Sequence, residues 1–181
     1  MNRLATLLLS LLTAGVAPAA SLTVLERTEQ APEMGTLRFL EIRHDQVQYT
    51  IVPPHGWRLN TDVAAAQLKF SEPKANISMA LQFHTNAARQ VLATTDSMRA
   101  LTVPHLSGAT VLDDFSNSGS GGRSLVLNYL LHGRPMRARV AVLPLDRGCV
   151  TFVIACGADD FPSAEPVLAA LQTSFQRQTP P

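Results

Sequence analysis

The stretch RSLVLNYLLHGRPMRARVAVLPLDRGCVTFVIACG, residues 123–157, reads as three strands joined by two tight turns. The first turn is His132-Gly133, a two-residue hairpin loop that sets Leu131 against Arg134. Counting back from that pair, Tyr129 faces Met136, Leu127 faces Ala138 and Leu125 faces Val140. These positions are apolar, as one face of a core sheet requires. The second turn, Asp146-Arg147-Gly148, is expected to be a three-residue loop with glycine in the left-handed position. That register places Phe152 opposite Val142 and Ile154 opposite Val140. It turns Cys156 into the core and leaves Cys149 at the turn, more exposed.

Working outward, Ser116–Gly122 is rich in serine and glycine and is expected to be a flexible link. Ala109–Phe115 before it reads as a strand. Asn86–Val103 carries apolar residues at helical spacing, with Thr85 as its cap and Pro104 as its stop. Strands are predicted at Thr36–Ile42, Gln46–Val52, Gln67–Ser71 and Ile77–His84. The first two flank a turn at His44-Asp45. Pro53-Pro54-His55-Gly56 ends the second, because proline cannot continue a ladder. Residues 60–66 are expected to form a loop or short helical turn. On the other side of the meander, Ser163–Ser174 shows a stripe of Ala164, Val167, Leu168 and Leu171, and reads as a helix. Residues 20–35 are expected to be a flexible lead-in and 177–181 a disordered tail. The core domain is therefore 36–176, with an α+β fold: an antiparallel sheet of about six to seven strands with helices packed on its faces.

Met1-Asn2-Arg3 is followed by an uncharged, leucine-rich run from Leu4 to Ala17 and by Ala17-Pro18-Ala19. A positive start, a short apolar run and a small-residue site make residues 1–19 a signal peptide, cleaved near Ala19/Ala20. The run is shorter than the roughly 20 residues of a membrane span. Periplasmic or secreted localisation follows, without stable membrane insertion after cleavage. Cleavage removes one charged residue, Arg3, and leaves 14 basic against 14 acidic residues. A neutral chain argues against nucleic-acid binding. An oxidising compartment permits a disulfide. However, Cys149 and Cys156 lie on one predicted strand, with Cα atoms roughly 23 Å apart and side chains on opposite faces. No intrachain bridge is expected.

Pro54-His55-Gly56-Trp57 follows a strand, the last strand runs into Cys156-Gly157-Ala158-Asp159-Asp160-Phe161, and the closing helix ends in Thr173-Ser174-Phe175. With these motifs, the order of elements resembles the PsbP-like family of α/β/α sandwiches. That likeness covers roughly 46–176. The resemblance implies a non-enzymatic binding or assembly factor, and no metal-binding residue of the family transfers to this sequence.

The chemistry-bearing residues are dispersed. His44, His55, His84, His105 and His132 each lie near a predicted turn or element end, are expected in solvent, and show no metal-ligand spacing. Asp159 and Asp160 are expected to cap the last helix and complement its dipole. Arg137 and Arg139 share one face of a strand, with Asn128 across from them. They form a candidate anion-binding or partner patch if that face is wet. His55 and Trp57 mark a candidate site at the tight turn. No catalytic residue, cofactor or metal is assigned. The expected partner is a protein or a small molecule, bound by a monomer. Two other readings stand beside this one: an enzyme with a site assembled from His55, Arg137 and Asp160, and a structural or toxin-neutralising partner protein.

Overall fold

The computed structural model describes residues 22–31, 35–73, 77–85, 94–102, 109–117 and 121–178. Residues 1–19, read as a signal peptide, the first part of the predicted long helix, His105 and the last three residues lie outside them. Among the described residues, eleven strands and two helices follow in chain order. They are β1 (Leu22–Ala31), β2 (Gly35–His44), β3 (Val47–Ile51), β4 (Arg58–Asp62), β5 (Gln67–Ser71), β6 (Ser78–His84), α1 (Thr95–Thr102), β7 (Thr110–Asn117), β8 (Gly122–Leu131), β9 (Arg134–Leu145), β10 (Gly148–Gly157), α2 (Phe161–Ser174) and β11 (Gln176–Arg177).

The strands form two antiparallel sheets. One has seven strands in the order β4-β5-β6-β10-β9-β8-β7, and the other four in the order β1-β2-β3-β11. The fold is α+β, with both sheets antiparallel and helices packed on the larger. The first two predicted strands belong to the smaller sheet. The stretch read as a flexible lead-in supplies β1, paired with β2 along its whole length. Its alternation is hidden in sequence because most of its side chains are solvent-exposed and polar. Within 60–66, residues 60–62 complete β4, and a turn follows. Part of the predicted tail is also ordered. Gln176 and Arg177 pair with β3, and the Gln178 amide donates to the Gln48 carbonyl at 2.9 Å.

The first hairpin of the meander has the expected register: Leu131 pairs Arg134, Tyr129 Met136, Leu127 Ala138 and Leu125 Val140. His132 and Gly133 both take positive φ, 51° and 77°, as a two-residue hairpin turn of this hand demands. The second hairpin differs by one residue. Leu145 pairs Gly148, so only Asp146 and Arg147 form the loop, and Phe152 pairs Ala141 while Ile154 pairs Arg139. Gly148 takes the left-handed φ (102°) from within the ladder, not from the loop. A Cβ there would collide with the His84 carbonyl oxygen. A one-residue slip exchanges the faces of a strand. Phe152, Ile154 and Cys156 therefore share a face with Ala141 and Val126, not with Val140 and Val142.

Each face of the larger sheet carries a buried core, the second of them confined to the β8–β10 part. On one, α2 and the smaller sheet close a core of Leu40, Ile42, Ile51, Leu68, Phe70, Leu81, Phe152, Ile154 and Leu168. On the other, Met98 of α1 packs over Leu125, Leu127, Val140 and Cys149. Cys156 and Cys149 are both buried, one in each core, and no disulfide joins them. Cys149 is thus not exposed at the turn: it is fully buried in the core beneath α1. The start of α2 also departs from expectation. Asp160 makes no side-chain cap bond. Its backbone carbonyl accepts the amides of Ser163 and Ala164 at 3.2 and 3.1 Å. Pro162, near the helix start, removes one of the donors that a side-chain cap would serve.

Candidate functional site

The turn Pro54-His55-Gly56-Trp57 is closed by the Trp57 amide donating to the Pro54 carbonyl at 3.3 Å. Gly56 has φ +75°, which is the glycine position of a type II turn. His55 is exposed at its tip. Trp57 turns inward and joins the main core. The two residues therefore point to different environments. Among the described residues no hydrogen bond or ion pair joins His55 to Arg137 or Asp160.

Arg137, Arg139 and Asn128 do come together, on the face covered by α2. Arg137 Nε donates to Asn128 Oδ1 at 2.9 Å, and its guanidinium lies 5.5 Å from the Phe161 ring centroid. Arg139 Nε donates to Ser124 Oγ at 2.9 Å, and Nη1 meets Glu165 Oε1 at 2.5 Å. Its guanidinium also lies 5.8 Å from the Phe115 ring. The face is thus half-buried, and the Arg139 charge is answered from α2. A groove of about 640 Å3 runs beside it, between the β7–β9 end of the sheet and Gln172 and Thr173 of α2. On the opposite face Arg123 bonds Asp114 Oδ2 and Thr95 Oγ1 at 2.5 and 2.6 Å. The Arg123 bond holds the Asp114 carboxyl below the usual carboxylate range.

A second cleft lies where two hairpin ends meet, and the sequence reading did not single it out. It is about 630 Å3 in volume, between the β2–β3 turn, the β9–β10 turn and the chain leaving α2. Phe175 stacks on Tyr49 at 5.1 Å and His44 stacks on Phe83 at 4.5 Å, so aromatic rings pave one side. Asp45, Asp146, Arg147 and Arg177 stand around it, with Arg177 bonded to Asp146. Asp45 and Gln46 take positive φ, 48° and 66°. The β2–β3 loop is thereby folded back into a tight two-residue turn, and His44 pairs with Val47 at the cleft.

Histidine placement corrects the expectation of five solvated rings. His44 is only 7% exposed, and burial pushes its pKa down, against a smaller opposite pull from Asp45. His84 is half-buried, is also lowered by burial, and lies 2.8 Å from Thr151 Oγ1. Both rings therefore favour the neutral form, which can donate one hydrogen bond and accept another. Burial raises the Tyr49 hydroxyl, with Arg177, Asp146 and Asp45 as lesser influences. A legible signal existed in part: the two turns and the Phe175 ending were recognised singly. Their convergence depends on β3 and β11 pairing in a second sheet, which no local pattern reveals. Among the described residues, no group of three or more His, Cys, Asp or Glu could hold a metal, and no helix is long and apolar enough to cross a membrane.

No family model matches the sequence. No curated protein does so either. Several solved structures align with it. One is PA94 of Pseudomonas aeruginosa, a protein of unknown function, at 15% identity over 85% of this chain and 99% of that one, with TM-score 0.49. Another is LpqN, involved in cell envelope biogenesis of Mycobacterium tuberculosis, at 11% identity over 86% and 92%, with TM-score 0.47. A third is the cyanobacterial PsbP of Synechocystis, at 15% identity over 91% and 96%, with TM-score 0.49. The last belongs to the family that the sequence resembles.

Proposed function

We propose that the protein is an exported, non-enzymatic binding factor of the periplasm or medium, and that it binds at the cleft between the β2–β3 and β9–β10 turns. The observation that carries this reading is the make-up of that cleft. Its volume lies in the range of small-molecule sites, and such sites join aromatic walls to a few placed polar groups. Tyr49 and Phe175 supply the wall, His44 a neutral buried imidazole, and Asp45, Asp146, Arg147 and Arg177 a rim of both signs. That chemistry suits a small ring compound with one charged end. Titratable groups shifted together in a cleft also mark functional sites more often than chance.

The test is nuclear magnetic resonance on the processed chain purified from the periplasm, titrated with tyramine and with 4-hydroxyphenylacetate. Saturable shifts confined to Tyr49, Asp146, Phe175 and Arg177, and lost in Phe175→Ala, are expected for at least one probe. Shifts centred on the groove at Arg139 instead, or none that saturate, would overturn the assignment. Export is tested separately: the N-terminus of the periplasmic protein should begin near Ala20, and retention of the full leader in the cytoplasm contradicts it.

A further inference from the structure

The described sheet edges are unequal. β4 has five residues and β11 two. β7 is interrupted by a register shift between Val111 and Asp113 and carries the adjacent acids Asp113 and Asp114. Shortness, bulges and charge are the usual ways of making an edge unfit for further pairing. β1 has neither of the first two. It runs for ten residues without proline, pairs β2 in unbroken register from Leu22–His44 to Ala31–Gly35, and forms the edge of its sheet. Its side chains from Leu25 to Gln30 are exposed. β3 supports only the far part of this hairpin, pairing Leu40–His44 of β2. Among the described residues, 27–31 and 35–39 therefore pair only with each other, as a two-stranded ribbon. A two-stranded ribbon is marginal in water, and three or more strands are needed for independent stability.

From these features we infer that β1 is a homodimer interface, with two copies joined antiparallel, edge to edge, about a two-fold axis at Thr28. The charge pattern of the strand is self-complementary in that register and selects a second copy of this chain as the occupant. Pairing about Thr28 sets Arg27 of each copy opposite Glu29 of the other, on the same face. It also sets Glu26 opposite Gln30. The existing ion pairs of the hairpin survive the docking. Arg27 Nε holds Glu41 at 2.7 Å yet remains 59% exposed, so it can bridge Glu41 and the second copy's Glu29. Arg38 keeps Glu26 at 2.7 Å. The result is one continuous sheet of eight strands, in which each ribbon becomes part of a four-stranded layer. Such opposite-charge cross-strand pairs stabilise, and like charges set directly opposite destabilise.

The experiment is sedimentation equilibrium and native mass spectrometry on the processed full chain. The wild type should be dimeric at about 100 µM, and Glu29→Arg should weaken the dimer by about tenfold or more, since it sets Arg27 against arginine twice. Arg27→Glu should do the same by setting glutamates together. Mixing the two variants should give a heterodimer in preference to either homodimer, because the edge with two arginines then meets the edge with two glutamates at both pairs. Circular dichroism of each variant confirms that it is folded. A monomeric wild type at that concentration overturns the inference, as does a dimer indifferent to both substitutions. A mixture without heterodimer preference overturns the Thr28 register.

Discussion

One face of the seven-stranded sheet meets a fourteen-residue helix and a second sheet, while the other, among the described residues, meets only the eight-residue α1. The first face buries Phe70, Phe152, Leu81, Ile154 and Leu168, the second Leu125, Leu127, Val140, Cys149 and Met98. The first cover is thick and is tied at its far end, where the Val52 amide donates to Ser174 Oγ at 3.1 Å. The second, among the described residues, is the eight-residue α1. A strand sealed on both sides carries apolar residues in succession, and β10 does so from Cys149 to Ile154 with one polar residue, the buried Thr151, among them. The difference between the faces lies in what covers them, not in the alternation of the strands between.

The largest effect expected from this difference is on core deletions. Phe152→Ala should cost about 3–5 kcal/mol, because the thick cover cannot collapse into the space. Leu127→Ala, under the thin cover, should fall near the lower end of about 2–5 kcal/mol, since α1 can settle inward. Urea midpoints at constant slope measure both. Equal losses would show that α1 is as rigid a lid as α2. Next in size is Gly148→Ala, which forces a left-handed conformation and a collision with the His84 backbone. It should cost about 1–3 kcal/mol or more. Retention of wild-type stability would mean that the hairpin slips readily to another register.

How far the fold was legible follows from the same contrast. The β8–β9 register could be read because His132-Gly133 dictates a two-residue loop and Leu130 and Leu131 fade into solvent. The β9–β10 register could not. Each one-residue slip still sets apolar residues against apolar residues, and Gly148 serves equally as a loop residue or as the first residue of the ladder. That single residue decided whether Arg137 and Arg139 share a face with Ile154 and Cys156. β1 was missed for the opposite reason: one row of exposed polar residues gives no period. The arginine patch was legible as a neighbourhood, since Asn128 and Arg137 pair across the first hairpin. Its cover by α2 was not, and neither was the aromatic cleft, whose walls come from both sheets.

The faces also differ in their histidines, and this gives a pH test. His44 stacks in the core beneath the smaller sheet, while His84 lies on the α1 side beside Thr151. Burial lowers the pKa of each in the folded state. Below the ordinary value of 6.5 the unfolded chain then binds more protons than the folded one, so stability rises with pH through that region. Acidification from about pH 7 should therefore lower the urea midpoint, beginning near 6.5 and continuing until the folded rings protonate. His44→Gln and His84→Gln should each flatten part of this slope. An unchanged slope in His44→Gln would show that its ring is solvated, contrary to the dense cover on that side.

The smallest effect should come from the most visible polar contact of the α2 face. The Arg139–Glu165 pair is short, but the two side chains retain 25% and 37% exposure. Ion pairs of that kind contribute roughly 0–1 kcal/mol, because solvent screens the attraction and two long side chains lose freedom. Arg139→Leu should therefore change stability by less than about 1 kcal/mol, and the added apolar surface beneath α2 offsets part of the loss. Glu165 can swing into solvent rather than remain buried without a partner. The docking of α2 then rests on Phe161, Ala164, Leu168 and Leu171, which are buried against the sheet. Double-mutant cycles of Arg139→Leu with Glu165→Gln measure the pair alone. A coupling well above 1 kcal/mol would show that charge, not apolar packing, holds the thick cover in place, and would remove the basis for ranking the two faces by their cores.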